Sequence, residues 1–175
     1  MKPMKKIIFY AALLSLWTFG IKAQNNNQVS LQFSFNQFEV GYQHKIFSPN
    51  LWGEIFVGAG NQDVNTRFDD FLTGLKVGYN VFSHKRDKLD VHSIWGIYIP
   101  KNKLYTAITP MVGTGTQYAR SIGKTGKHNL FISANFRYGK RDYKQKYSSE
   151  TITVSKTGSF EVSRLVFSLG YSFKF

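Results

Sequence analysis

No cysteine occurs among the 175 residues, so disulfides play no part in holding the chain together. An exported protein of this size must then rely on packing, strand pairing or its surroundings. Beyond residue 23 no stretch is both long and apolar enough for a spanning helix, which needs about 20 such residues. The 3.6-residue period of amphipathic helices is almost missing as well, which removes the helical and mixed fold classes. The four histidines, His44, His84, His92 and His128, lack metal-ligand spacing and read as interface or turn residues. The short GTG at 113–115 lacks the strand–loop–helix setting of a phosphate cradle. Acidic residues are scarce, 10 Asp and Glu against 23 Lys and Arg, for a net charge of +13.

The first 23 residues are expected to be a cleaved signal peptide. MKPMKK is a basic start, IIFYAALLSLWTFGI gives about 15 largely apolar residues, and IKA precedes Gln24. Removing Lys2, Lys5, Lys6 and Lys22 with it lowers the net charge from +13 to about +9. Residues 24–175 then form one domain by length. A basic exported protein can meet anionic partners such as lipopolysaccharide phosphates or acidic glycans. Outside the cell nucleic acid is not an expected partner, and solvated loop surface is the simpler reading of the charge.

Period-two alternation predicts eight strands, at 29–35, 38–47, 51–60, 69–82, 89–99, 104–119, 128–139 and 160–175. Their connections alternate in character. SPN, SHKRDK and SIGKTGKH read as turns at one end, whereas NQDVNTRFDD, PKNK and the long run from Lys140 to Gly158 read as loops at the other.

Sorting each strand by parity gives two unlike faces. One carries Val29, Leu31, Phe33, Val40, Ile55, Val57, Leu75, Val77, Trp95, Val112, Ile132, Phe136, Leu165, Phe167, Leu169 and Phe173, with no Asp, Glu, Lys or Arg at any position of that parity. The other holds Glu39, Lys45, Glu54, Lys76, Asp90, His92, Arg137, Arg164 and Lys174, together with many glycines. A charge on a lipid face near the midplane costs about 2–4 kcal/mol, which explains the empty face. Glycines on the opposite face relieve crowding inside a narrow barrel. Aromatics gather near both ends of the apolar face, Phe35, Phe38, Phe71 and Tyr138 at one and Tyr79, Tyr118, Phe173 and Phe175 at the other, as two interfacial girdles would. Because no backbone edge can be left unpaired in hydrocarbon, the sheet must close. The fold expected is an all-β, eight-stranded antiparallel transmembrane up-and-down β-barrel. A soluble exported barrel with the apolar face turned inward is the opposite assignment of the same parity.

With these features the chain resembles the small eight-stranded outer-membrane barrels of the OmpA-barrel and OmpX type. The resemblance is architectural and rests on the N-terminal signal, the alternating strands and the closing YSFKF. It implies residence in the outer membrane of a Gram-negative bacterium, lipid as surroundings, and recognition by the barrel-assembly machinery through Tyr171, Phe173 and Phe175. Two local expectations accompany it. Residues 29–47 form either a hairpin turning at Asn36 and Gln37 or one bulged strand, in which case 150–156 (ETITVSK) supplies the missing partner. Pro110, without a ladder donor in the middle of strand six, predicts a bulge there.

Function is less legible. A barrel of eight strands is only wide enough to be filled by side chains, so Glu39, Lys45, Glu54, Lys76, Asp90, Arg137 and Arg164 are expected as one paired ionic network in the lumen. No cofactor is implied. The catalytic candidates are His92 and Asp90 of DVHS, which share a face and could form an acid–base pair. Ser93 points the other way, so this strand alone cannot build a triad. Some barrels of this size are lipid A-modifying enzymes, and that is the alternative to a structural or surface-interaction role. The long basic loop is the candidate contact surface. Its Lys140, Arg141, Tyr143, Lys144, Lys146 and Tyr147 suit sugars, phosphates or a protein partner.

Overall fold

A computed structural model describes residues 26–35, 37–60, 70–100, 108–148 and 153–175, with the backbone alone at 143–148, 153–155, 160, 162 and 163. The expected signal segment, 1–23, lies outside the described residues. The strands are β1 (Asn27–Ser34), β2 (Gln37–Lys45), β3 (Leu51–Gly60), β4 (Asp70–His84), β5 (Asp87–Pro100), β6 (Thr109–Ile122), β7 (His128–Ser148) and β8 (Thr153–Lys174). Each pairs antiparallel with the next, and β8 returns to β1 to close an eight-stranded barrel.

Register places the two parities on opposite faces. Apolar residues oppose apolar residues around the cylinder, as in Leu31↔Val40, Val40↔Val57, Leu75↔Trp95, Trp95↔Val112 and Leu31↔Tyr171. These side chains point out of the barrel, with Ile55, Leu75, Trp95, Ile132, Leu165, Phe167 and Leu169 all exposed. The interior holds Phe56, Leu72, Ile94, Tyr98 and Met111 as one apolar cluster among buried polar groups. Large interior rings sit where the facing strand offers glycine. Trp52 lies against Gly78, Phe131 against Gly170 and Phe56 against Gly74. Gly96 shows why nothing larger fits: a Cβ there would stand 2.7 Å from both the Met111 Cε and the backbone oxygen of Thr73. Gly96→Val is therefore expected to lower stability by about 1–3 kcal/mol, read as an earlier denaturant midpoint.

Three expectations are corrected here or sharpened. Residues 27–45 are a hairpin, β1 pairing β2 from Ser34↔Gln37 down to Asn27↔His44, and not one bulged strand. Pro110 makes no bulge. Strand six starts at Thr109, so Pro110 sits near its beginning and opposes Ile97 in unbroken register; residues 101–107 lie outside the described residues. The bulge is instead in β4, where the register with β5 passes from Asn80↔Asp90 to Phe82↔Leu89 and leaves Val81 unopposed. Asn80 secures it, its Nδ2 donating to the carbonyls of Phe82 (3.2 Å) and Leu89 (3.4 Å). Finally, the segment expected as a loop after Lys140 continues as sheet. Beyond Met111↔Gly139 the β7 strand pairs, among the described residues, only with β8, from Lys140↔Glu161 to Ser148↔Thr153.

Candidate functional site

The inward-facing polar residues fall into groups at different heights in the barrel. At the centre Glu39 accepts from two cations, Lys76 Nζ at 3.1 Å and Arg137 Nη2 at 2.6 Å, and it is also bonded by Gln37. Lys76 reaches a second carboxylate, Glu54 Oε1, at 2.8 Å. All four charged side chains are buried, and two positive charges meet two negative ones, so the group is neutral as a unit. The Phe56 ring lies beside both cations, 4.9 Å from Lys76 Nζ and 5.8 Å from Arg137 Cζ, adding cation–π attraction where water is excluded.

Towards the loop end Arg141 and Asp70 form a second buried pair, Nη1 to Oδ2 2.8 Å. Arg141 was an expected surface contact, and it is 0% exposed. The reason is geometric. Because β7 runs on past Gly139, position 141 keeps the inward parity of Arg137 and Gly139. Lys140 is exposed, and Tyr143, Lys144, Lys146 and Tyr147 are placed on the same strand.

Two members of the expected network belong elsewhere. Lys45 and Asp90 line the mouth at the end carrying the short turns, a cavity that none of the central four lines. Asp90 Oδ1 accepts from Asn80 Nδ2 at 2.7 Å. Arg164 is half-buried and stands opposite Arg137 in the β7–β8 register. Parity alone assigned all of these to the lumen; height along the barrel separates Lys45 and Asp90 from the central four, whereas Arg164 is level with Arg137.

His92 and Asp90 face inward, but each takes an asparagine as partner. His92 Nε2 lies 2.7 Å from Asn135 Oδ1, and the Asn135 amide donates to Ser133 Oγ at 3.3 Å. That leaves the Asn135 oxygen to accept, which puts the imidazole proton on Nε2. The ring sits 5.7 Å from the Trp52 indole, within the packed interior. Ser93 points outward and donates to the Val77 carbonyl at 3.2 Å. The geometry thus holds His92 in a structural hydrogen bond rather than against Asp90.

Outside the barrel the apolar belt has one further property. Three of its hydroxyls are turned back onto the sheet: Thr73 Oγ1 donates to Phe56 O at 3.0 Å, Ser93 Oγ to Val77 O, and Thr114 Oγ1 to His92 O at 3.0 Å. Charges appear only at its edge. Near the turn end Tyr118 donates to Asp87 at 2.8 Å and the exposed Arg120 Nε lies 3.7 Å from the same carboxylate. Tyr171, Phe173 and Phe175 join this rim, where Tyr171 Oη meets His128 Nδ1 at 2.5 Å and the Phe173 and Phe175 rings stack at 6.4 Å.

Sequence reasoning missed Asp70, Asn135 and Lys88. Asp70 has the parity of Leu72 and Lys76, a signal hidden by its place at the end of a polar loop. Asn135 and Lys88 likewise share inward parity but carry no motif. No protein-family model matches the chain, and neither a curated protein nor a solved structure matches it.

Proposed function

We propose that this protein is a small integral outer-membrane barrel of a Gram-negative bacterium, with a structural or surface-interaction role. The observation that carries this reading is the outward belt. It is apolar and free of charge between the rims, and the hydroxyls of Thr73, Ser93 and Thr114 are bonded to the sheet's own carbonyls. In hydrocarbon every polar group must find a partner within the protein, whereas water would make such self-bonding needless. The N-terminal segment supplies export, and Tyr171, Phe173 and Phe175 supply the aromatic signal for the barrel-assembly machinery. An interior filled by Phe56, Leu72, Ile94 and Met111 suits anchoring and presentation rather than conduction.

The contact surface in this reading is the part of the β7–β8 pairing that carries Lys140, Tyr143, Lys144, Lys146 and Tyr147, with lipopolysaccharide or a protein partner as its ligand. Arg141 is excluded from it by its burial in an ion pair with Asp70. Replacing Lys140, Lys144 and Lys146 by Gln is expected to leave a band in isolated outer membranes that shifts mobility on boiling, while retention on lipopolysaccharide falls several-fold. A protein absent from outer membranes, with no heat shift, would refute the membrane assignment. Unchanged retention would remove the hairpin from the account.

A further inference from the structure

The mouth of the barrel at the turn end has chemistry that the central cluster does not share. It encloses a cavity of about 230 Å³, floored by Trp52 and walled by inward residues of several strands. Lys45, Lys88 and Lys174 all line it, against Asp90 as the one carboxylate. Lys174 lies near both Lys88 and Lys45, so that like charges press on one another across the cavity. Among the described residues none of these lysines forms an ion pair, although every buried cation at the centre does. Asp90 is partly engaged already, bonded by Asn80. The mouth therefore gathers like charges with too little counter-charge, an arrangement that opposes folding unless something anionic offsets it.

A neutral donor completes the setting. Gln43 accepts from Gln28 through Oε1 at 3.1 Å, which leaves its amide hydrogens available at the cavity wall. Ammonium groups and an amide around one cavity are the donors an oxyanion needs.

We propose that this mouth is a binding site for a phosphate group, held chiefly by Lys45, Lys88 and Lys174. The cavity admits a tetrahedral oxyanion with water around it, given about 30 Å³ for each water. The phosphate has two sources, a free ion or a lipid headgroup at the same end of the barrel. The inference depends on the barrel and its mouth, not on where the barrel resides.

The test is calorimetric titration of the full chain, folded in an uncharged sugar detergent, with inorganic phosphate and separately with dihexanoylphosphatidate below its micellar concentration. Saturable binding of the free ion identifies a soluble anion as ligand, and binding of the lipid alone identifies a headgroup; either supports the site. The combined change of Lys45, Lys88 and Lys174 to Gln should weaken binding at least tenfold, while Lys174→Arg keeps it. Changing Lys124 and Lys127, which lie outside the cavity, to Gln should leave it unaltered. Without phosphate the triple variant should melt no lower than the parent, since it loses a repulsion. Saturation by neither probe, equal binding by the triple variant, equal weakening by the Lys124 and Lys127 changes, or a lower melting temperature would each overturn the proposal.

Discussion

Glu39→Ala is expected to destabilise the barrel by about 3–5 kcal/mol, the cost of leaving buried cations without their counter-charge. Glu39 alone serves both Arg137 and Lys76, at 2.6 Å and 3.1 Å. Its removal strands Arg137, whose fork lies in the packed interior. Lys76 keeps Glu54 at 2.8 Å, so Glu54→Gln should cost less than Glu39→Ala. The combination of Glu39→Met with Arg137→Met restores neutrality, because Lys76 and Glu54 remain as a pair. It should recover most of the loss, since a buried ion pair is often no more stabilising than apolar side chains of similar volume. By contrast Asp87→Ala, which breaks an exposed pair 3.7 Å long with Arg120 and the bond from Tyr118, should cost about 1 kcal/mol or less. Denaturant midpoints of the protein folded into lipid vesicles give all these values. Equal effects of Glu39→Ala and Asp87→Ala would show that the central cluster is hydrated and not an enclosed network.

Leu75→Arg is the second large effect. Leu75 is exposed in the middle of the belt, opposite Ile55 on β3 and Trp95 on β5. An arginine at mid-bilayer costs about 2–4 kcal/mol, falling to about 0–1 kcal/mol near an interface. Tyr118→Arg, at the rim beside Asp87, should therefore be nearly neutral. The depth dependence matters more than either value alone. A belt facing water would make Leu75→Arg as harmless as the rim change in the same vesicle assay.

What the sequence disclosed follows from one physical fact: an apolar outer belt and a polar, filled lumen demand opposite side chains, so alternation is strong wherever both are present. Strand positions, closure and the direction of the apolar face were all readable for that reason. The signal ends where the belt ends. Past Gly139 both faces of β7 are polar, so the strand's continuation to Ser148 left no alternation to find, and Arg141 read as loop. The β4 bulge did leave a trace in the adjacent Val81 and Phe82, where apolar parity changes, although Pro110 drew the expectation elsewhere. Parity also says nothing about height. It put Lys45 and Asp90 with Glu39 and Lys76, while strand register decides which inward charges are level and places the first two at the mouth. Asp70 was lost to the same ambiguity at the other end, where a strand emerges from polar sequence.

The central claim is that the apolar belt is wetted by lipid, and two tryptophans allow a direct measurement. Trp95 is 48% exposed on the belt, whereas Trp52 is 5% exposed inside the barrel. With Trp17 and Trp52 changed to Phe, and the protein folded into vesicles of brominated phosphatidylcholine, emission reports Trp95 alone; with Trp17 and Trp95 changed, it reports Trp52. Strong quenching of Trp95, deepest with bromines near the middle of the acyl chain, and little quenching of Trp52 is the predicted result. Trp95 emission that is unquenched by bromine and open to iodide in the water would contradict the account and leave the belt facing solvent or a protein partner.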